Sequence, residues 1–151
     1  TFRFSTITRA NLSDYIEYLL DKNGRSLKAV FDYCGRKNFS YFYRTPASDV
    51  EGMAIDMFNT GKGSCHEFSA ITYLMVKALG YNCMIVTGKG AYYDVHKWVL
   101  IEVEPGVWRH MDTERSQIVV YLLTDAELDA LNGISENIRY EWDKSAYPAA
   151  K

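Results

Sequence analysis

The stretch that decides the fold reads Gly61-Lys-Gly-Ser-Cys-His-Glu-Phe-Ser-Ala70, and its pattern continues to Gly80. Behind the glycine-rich loop, apolar residues recur every three or four positions. This spacing predicts a helix with one buried face and with Cys65 in its first turn. Unpaired amides and the positive end of the helix dipole favour thiolate over thiol at such a position. Cys65 is therefore a candidate nucleophile, although a free cysteine taken alone is more often a small buried hydrophobe.

The composition is that of an ordinary globular protein, with 48% hydrophobic and 24% charged residues among 151. We predict a single domain over residues 1–151 with a sizeable core. A net charge of −2 and the lack of lysine or arginine runs argue against nucleic acid and anionic membranes as partners. No apolar stretch approaches the roughly 20 residues of a membrane helix, so no membrane insertion is expected. Twelve tyrosines indicate aromatic surfaces suited to a peptide or glycan groove.

The three cysteines cannot all pair with one another, and no two have the C-x-x-C spacing. This excludes a zinc knuckle and a thioredoxin motif. Cys34 falls on the apolar face of a helical pattern, and Cys83 lies inside a strand-like run. We interpret both as core residues, which leaves Cys65 as the cysteine with a possible chemical role.

Helical patterns occupy the first half of the chain, and strand patterns follow. Helices are predicted over residues 11–23, 26–34, 48–60, 65–79 and 124–131, the third and fifth opening with capping boxes at Ser48 and Thr124. Strands are predicted over residues 81–87, 96–103, 107–112 and 118–123. Residues 1–8 are read as an edge strand or tail, residues 38–44 as an extended segment, and residues 139–148 as a surface tail. This order indicates an α+β fold.

A nucleophilic cysteine needs a base, and the base needs a third group that holds its tautomer. His66 is a poor base for Cys65, because neighbouring helical residues point about 100° apart. His96 begins one predicted strand, and Asp112 ends the next, after a tight turn. Antiparallel pairing makes these two residues plausible cross-strand neighbours. Cys65, His96 and Asp112 together therefore have the layout of a Cys-His-Asp triad.

Metal binding is the alternative use of these side chains. The set Cys65, His96, His110 and Asp112 contains metal-ligand types, but their origin in distant segments is equally typical of a triad. The His66-Glu67 pair begins like the zinc-protease motif H-E-x-x-H, yet position 70 is alanine, so that motif fails. We predict that no metal is bound.

Three short motifs resemble those of the transglutaminase-like superfamily, whose fold is related to papain-like peptidases. They are Gly63-Ser-Cys65 with its helix, Val95-His-Lys-Trp98 and Trp108-Arg-His-Met-Asp-Thr113. The order and the separations match that family, with 31 residues from Cys65 to His96 and 16 from His96 to Asp112. The resemblance covers residues 39–113, and residues 114–151 add a strand, a short helix and a tail that looks like the ending of small bacterial members. Lys97 stands where the family often has alanine.

The resemblance implies an α+β transglutaminase-like fold with Cys65 as nucleophile, His96 as base and Asp112 as its orienting partner. The family's oxyanion donor has no secure match; Tyr41 or Tyr43 is the candidate beside the Cys65 backbone amide. As groove candidates we name Trp98 and His110, although a core role is the usual one for Trp98, and His110 is as readily a structural residue. The family chemistry needs neither a metal nor an organic cofactor.

We therefore expect thiol-dependent acyl transfer on peptide or side-chain amides. If water accepts the acyl group, the enzyme is a peptidase or amidase; if a lysine amine accepts it, the enzyme is a cross-linking one. The resemblance favours hydrolysis. The expected partner is a peptide or protein substrate, with cell-wall peptide included, and the expected location is extracellular or at the cell surface. The rival hypothesis is a non-catalytic surface module that keeps the fold and binds peptide or glycan in an aromatic groove.

Overall fold

The structure, a computed structural model, describes residues 5–92 and 94–151. Helices come first and an antiparallel sheet follows, which confirms the predicted α+β order. The helices are α1 (Leu12–Asn23), α2 (Leu27–Tyr33), α3 (Val50–Thr60), α4 (Cys65–Ala78) and α5 (Asp125–Leu131). The strands are β1 (Ser40–Tyr41), β2 (Lys62–Gly63), β3 (Cys83–Gly88), β4 (His96–Glu104), β5 (Val107–Asp112) and β6 (Val120–Leu123). The predicted N-terminal strand falls partly on residues 1–4, outside the described residues, and residues 5–8 contain no strand.

Helix α4 is the centre of the larger core. It packs against α1, α2 and α3 on one side and against β3 and β4 on the other. Phe68, Ile71 and Met75 are each at most 1% exposed, as the three-and-four spacing predicts. Burying several large apolar side chains on one element stabilises a fold by about 1.5–3 kcal/mol for each side chain. The helix that begins with Cys65 is therefore anchored firmly along its length.

The main sheet has four antiparallel strands in the order β3-β4-β5-β6. Strand β6 begins two residues later than predicted. A second, two-stranded parallel sheet joins β1 to β2, with Ser40 opposite Lys62 and Tyr41 opposite Gly63. This small sheet ties the predicted extended aromatic segment to the loop that precedes Cys65.

The helix starts show which capping predictions hold. Thr124 and Glu127 form the predicted capping box at the start of α5. The box predicted to begin at Ser48 is wrong, because Asp49 is the N-cap of α3 and its carboxylate accepts a hydrogen bond from the Gly52 amide at 2.9 Å. Both residue types favour caps. Asp49 has the further advantage of an ion pair with Arg9 at 2.8 Å.

The prediction that both spare cysteines are core residues holds for one of them. Cys34 is fully buried next to Met75, with the two sulfur atoms 3.6 Å apart. Cys83 is only half-buried. It begins β3, which is the edge strand of the sheet, so that one side of the residue lacks a neighbouring strand.

Residues 139–148 were predicted to pack along the surface, and most of them are exposed; Tyr140 is the buried exception, and residues on either side of this stretch are buried as well. Ile138 is 5% exposed, and Tyr140 and Ala150 are 1% exposed. All three belong to a second core cluster with Val86, Trp98, Leu100, Val120 and Leu128. A bridge between Lys89 and Glu141 and a single 3-10 turn at Lys144–Ala146 shape the segment. The chain after α5 therefore covers the face of the sheet that α4 does not.

None of the described helices is both long enough and apolar enough to cross a membrane.

Candidate active site

The loop that delivers Cys65 is held by a capping box that the S-x-x-E spacing of the sequence already contains but that sequence reasoning missed. The Ser64 amide donates to Glu67 Oε1 at 2.8 Å, and the His66 amide donates to Ser64 Oγ at 3.4 Å. Glu67 is fully buried, and a Cβ added to Gly63 would lie 2.5 Å from the Cβ of Glu67. Only glycine fits at position 63, and Cys65 becomes the first residue of α4 as predicted.

Arg44 fixes the other side of this loop. Its Nη1 donates to the Lys62 carbonyl at 2.7 Å, and its Nη2 donates to Thr60 Oγ1 at 3.0 Å. The same Nη1 lies 3.9 Å from Glu67 Oε1. The backbone before Cys65 is thus constrained by a charged side chain on each side, which limits the positions that the sulfur can occupy.

His96 and Asp112 meet across the main sheet. His96 Nε2 and Asp112 Oδ2 are 2.7 Å apart, and the residues are only 8% and 3% exposed. The pairing of β4 with β5 places Val99 opposite Met111. In that register His96 and Asp112 are diagonal neighbours rather than directly opposite, which is still within reach of a long ring.

Cys65 lies on the other side of the imidazole. Its Sγ lies 4.0 Å from the Val95 carbonyl oxygen, and the thiol helps to raise the pKa of His96. Because Nε2 of His96 faces Asp112, Nδ1 is the ring nitrogen left for the sulfur. Cys65 is 7% exposed and so keeps a small solvent-facing surface. The structure therefore brings together the three residues that the sequence selected.

The charges of this cluster reinforce one another. Burial alone would lower the pKa of His96, but the charge and hydrogen bond of Asp112, with a smaller contribution from Cys65, raise it to about 10. Burial alone would raise the pKa of Asp112, but His96, the Tyr140 hydroxyl and the Glu114 amide lower it. An imidazolium and a carboxylate therefore face each other at neutral pH.

Tyr140 is the site residue that sequence reasoning missed. Its hydroxyl donates to Asp112 Oδ2 at 2.6 Å, the oxygen that also contacts His96. Its ring packs edge-on against His96, with centroids 5.6 Å apart. The Asn132 side chain holds the Tyr140 backbone at both its amide (2.6 Å) and its carbonyl (2.8 Å). The aromatic character of the tail was the one signal available in the sequence.

Trp98 and His110 do not line a groove, and that prediction is wrong. They are 1% and 0% exposed, and Trp98 Nε1 donates to His110 Nδ1 at 3.0 Å. The second nitrogen of His110, Nε2, donates to Asp125 Oδ1 at 2.7 Å. Both side chains face the second core cluster, where the segment after α5 covers them. Trp98 packs against His96, with ring centroids 5.8 Å apart, and His110 lies next to Trp98.

The two tyrosines named as oxyanion candidates lie in different surroundings. Tyr41 lines a cavity of about 280 Å³ together with His96, and its ring lies beneath the Arg36 guanidinium at 5.7 Å. Tyr43 is 59% exposed and does not line this cavity. The oxyanion role stays a prediction, and Tyr41 is the better placed of the two.

The set of residues that could bind a metal in the folded chain differs from the set predicted from the sequence. His110 drops out, because Trp98 and Asp125 occupy both of its ring nitrogens. Among the described residues, His96, Asp112 and Glu114 each bring a ligand atom within 4.8 Å of the others. His96 Nε2 and Asp112 Oδ2 already bond to each other. A cation that used those two atoms as ligands would have to replace this hydrogen bond.

Comparison with known proteins identifies the family of this sequence. The sequence model of the transglutaminase-like superfamily matches residues 11–113, more than half of the chain. Comparison with the curated proteins gives no significant match.

Two solved structures share the fold. A protein from Cytophaga hutchinsonii, provisionally described as a cysteine protease, is 18% identical with a TM-score of 0.57, over 83% of this chain and 42% of its own. The periplasmic domain of TgpA from Pseudomonas aeruginosa, bound to ethylmercury, is 18% identical with a TM-score of 0.53, over 74% of this chain and 46% of its own. The chain thus spans less than half the length of either protein. Its α+β architecture and the match to residues 11–113 show that it belongs to the transglutaminase-like superfamily, a family of thiol-dependent enzymes.

Proposed function

We propose that this chain is a cysteine peptidase or amidase, in which Cys65, His96 and Asp112 form the catalytic triad. The observation that carries the proposal is the 2.7 Å pair of His96 and Asp112 beside a cysteine at a helix N-terminus. A histidine whose pKa is raised to about 10 holds its proton at neutral pH. Such an imidazolium is the partner that a cysteine thiolate requires.

The reaction follows from the position of each group. His96 holds the thiol proton as the imidazolium, so Cys65 Sγ attacks as the thiolate: it forms a C–S bond with the carbonyl carbon of the substrate while the carbonyl π electrons move to oxygen. His96 then gives its proton to the leaving amine as the C–N bond breaks, which leaves an acyl-enzyme. His96 next removes a proton from water, whose oxygen attacks the acyl carbon, and the C–S bond breaks to restore Cys65. Asp112 keeps the imidazole in the required orientation.

The developing oxyanion needs donors that are in place beforehand. The Cys65 backbone amide is the first, because it lies at the start of α4, where the amides have no partner within the helix. Tyr41, which lines the cavity beside His96, is the second candidate.

The surroundings of His96 support a peptide substrate and water as acceptor. Tyr92 and Val95 are 69% and 42% exposed at the rim of the cavity, and they offer an apolar surface to a peptide. Ser116, Gln117 and Asn137 give the same cavity a polar lining that admits water. The TgpA domain is periplasmic, and by analogy we place the activity of this chain outside the cytoplasm.

Competitive alkylation tests this function. Burial raises the pKa of Cys34 and of Cys83 to about 12 in each case, so both react slowly. With iodoacetamide at pH near 6, we expect Cys65 to be labelled at least tenfold faster than the other two, as followed by peptide mass spectrometry. His96→Ala should remove this difference. Equal, slow labelling of all three cysteines would contradict the enzyme and favour the non-catalytic binding module.

A further inference from the structure

The cavity beside His96 carries two arginines that the proposed chemistry does not use. Arg36 and Arg115 both line it, together with Tyr41 and Val95. Arg36 comes from the segment after α2, and Arg115 comes from the segment directly after Asp112. The fold therefore brings two cations from distant parts of the sequence to the edge of the candidate active site.

Both guanidiniums keep most of their hydrogen-bonding capacity. Arg36 Nη1 donates to the Glu114 carbonyl at 3.3 Å, and Arg115 Nη2 donates to the Asn137 carbonyl at 3.0 Å. Each guanidinium has five N–H donors. Within the described residues, neither arginine has a carboxylate within 4.0 Å, whereas Arg9, Arg25 and Arg139 all do. The backbone contacts hold the two cations in place without neutralising them.

Glu114 is the acidic residue that lines the same cavity. Burial and the nearby Asp112 raise the pKa of its carboxyl group, although both arginines act in the opposite direction. Among the described residues, Arg36, Arg115 and His96 outnumber Glu114 as charged side chains that line the cavity.

We propose that Arg36 and Arg115 bind a carboxylate of the substrate, so that the preferred substrate is a peptide carrying a negative charge close to the amide that is cleaved. This inference rests on the proposed function, because it assigns the substrate class of the same site. The planar guanidinium matches the geometry of a carboxylate, and hydrogen bonds between two charged groups are roughly twice as strong as those between neutral groups. The carboxylate can belong to a peptide C-terminus or to an aspartate or glutamate side chain.

Binding to the Cys65→Ala variant tests the assignment without turnover. Three synthetic peptides are derived from one neutral sequence. The first has a free C-terminus, the second is amidated and carries one internal glutamate, and the third is amidated and uncharged. Calorimetric titration gives the dissociation constant of each, and the comparison of the first two peptides identifies the source of the carboxylate. Arg36→Gln and Arg115→Gln are then added singly to Cys65→Ala. Arg109→Gln, whose arginine lines a different cavity with Gly106 and Pro148, is the matched control.

We expect each cavity substitution to weaken binding of a carboxylate-bearing peptide by roughly tenfold or more. Binding of the uncharged peptide and the Arg109→Gln control should stay unchanged. The assignment is overturned if the uncharged peptide binds as tightly as the charged ones, if no charged peptide binds, or if both arginine variants weaken all peptides equally.

Turnover by the unmodified chain separates this inference from the proposed function. Cleavage of the peptides without any charge preference would leave the enzyme standing and overturn the carboxylate site. Carboxylate-dependent binding without cleavage would support the site and overturn the proposed reaction.

Discussion

Two histidines of the main sheet, His96 and His110, each pair with an aspartate at 2.7 Å, and the pKa values of the two imidazoles are shifted in opposite directions. In the first pair, Asp112 and Cys65 raise the pKa of His96 to about 10. In the second pair, burial lowers the pKa of His110 despite its hydrogen bond to Asp125. The carboxylate alone does not decide whether the imidazole holds a second proton.

The third neighbour of each ring explains the difference. An indole N–H can only donate, so His110 Nδ1 must accept from Trp98 and cannot carry a proton. The remaining nitrogen of His96 faces the Cys65 thiol instead, which can become an anion. Burial differs as well, since Asp125 is 22% exposed in its side chain while Asp112 is 2% exposed. A search for histidine–carboxylate pairs alone would therefore find both and could not identify the catalytic one.

The largest expected effect comes from removing each imidazole in turn. His96→Gln should lower kcat/KM for peptide hydrolysis by about 10²–10⁴, the usual contribution of a general acid–base. His110→Gln is the matched control, since glutamine can still accept from Trp98 and donate to Asp125, and it should keep turnover within a few-fold of the original. Steady-state kinetics on both variants make the comparison. Similar losses in the two variants would contradict the assignment of His96 as the base.

The second largest effect is expected in the pH dependence of stability, because the two histidines should contribute to stability in different pH ranges. A folded pKa of about 10 against the ordinary 6.5 means that the His96 contribution is complete below pH 6.5 and is lost as the pH rises towards 10. His110 has a lowered folded pKa, so its contribution is present above pH 6.5 and is lost as the pH falls below that value.

Urea unfolding of the original chain and the two glutamine variants measures this effect. The stability advantage of the original chain over His96→Gln should shrink by about 2 kcal/mol or more between pH 6.5 and 10, since one pKa unit corresponds to about 1.4 kcal/mol. The advantage over His110→Gln should instead shrink below pH 6.5. An alkaline loss of stability that persists in His96→Gln would show that another group causes it.

The smallest effect is expected from Tyr140→Phe, which removes one hydroxyl from the first pair. Asp112 loses the 2.6 Å donor that helps to lower its pKa, so the acid limb of the pH–rate profile should move to higher pH. Turnover should fall several-fold with little change in KM, and the free energy of unfolding should fall by about 1–2 kcal/mol. Tyr147→Phe is the control, because that hydroxyl accepts from the Thr87 amide and does not contact Asp112. If the acid limb of the pH–rate profile did not shift in Tyr140→Phe, the hydroxyl would have only a structural role.

The pairing of His96 with Asp112 could be predicted from the sequence because it depends on local sequence patterns. A glycine-rich loop before an amphipathic helix located Cys65, and a tight turn between two alternating strands brought His96 near Asp112. These signals act over short distances along the chain, and each has a direct physical cause. The exact register was not predictable, since the bulge between Glu102 and Glu104 shifts the pairing.

The surroundings of the pair could not be predicted, because they depend on irregular chain. Tyr140 reaches Asp112 across 28 residues, and the path is fixed by side-chain bonds from Asn132 rather than by any periodic pattern. For the same reason Trp98 and His110 were taken for groove residues: nothing in their own strands reveals that a later segment covers them. Tyrosine packs well in half-buried and buried positions alike, so its abundance did not distinguish core from surface.

Tyr140 lies later in the chain than every other residue of the site, and this has a consequence for biosynthesis. Cys65 is translated 75 residues before Tyr140, a delay of about 4–15 s at roughly 5–20 residues per second. Until that last segment packs against the sheet, nothing covers Trp98 and Asp112 on that face. Cys65, His96 and Asp112 are thus all translated before the tyrosine that completes their hydrogen-bond network, and we expect full turnover only after this last segment has packed against the sheet.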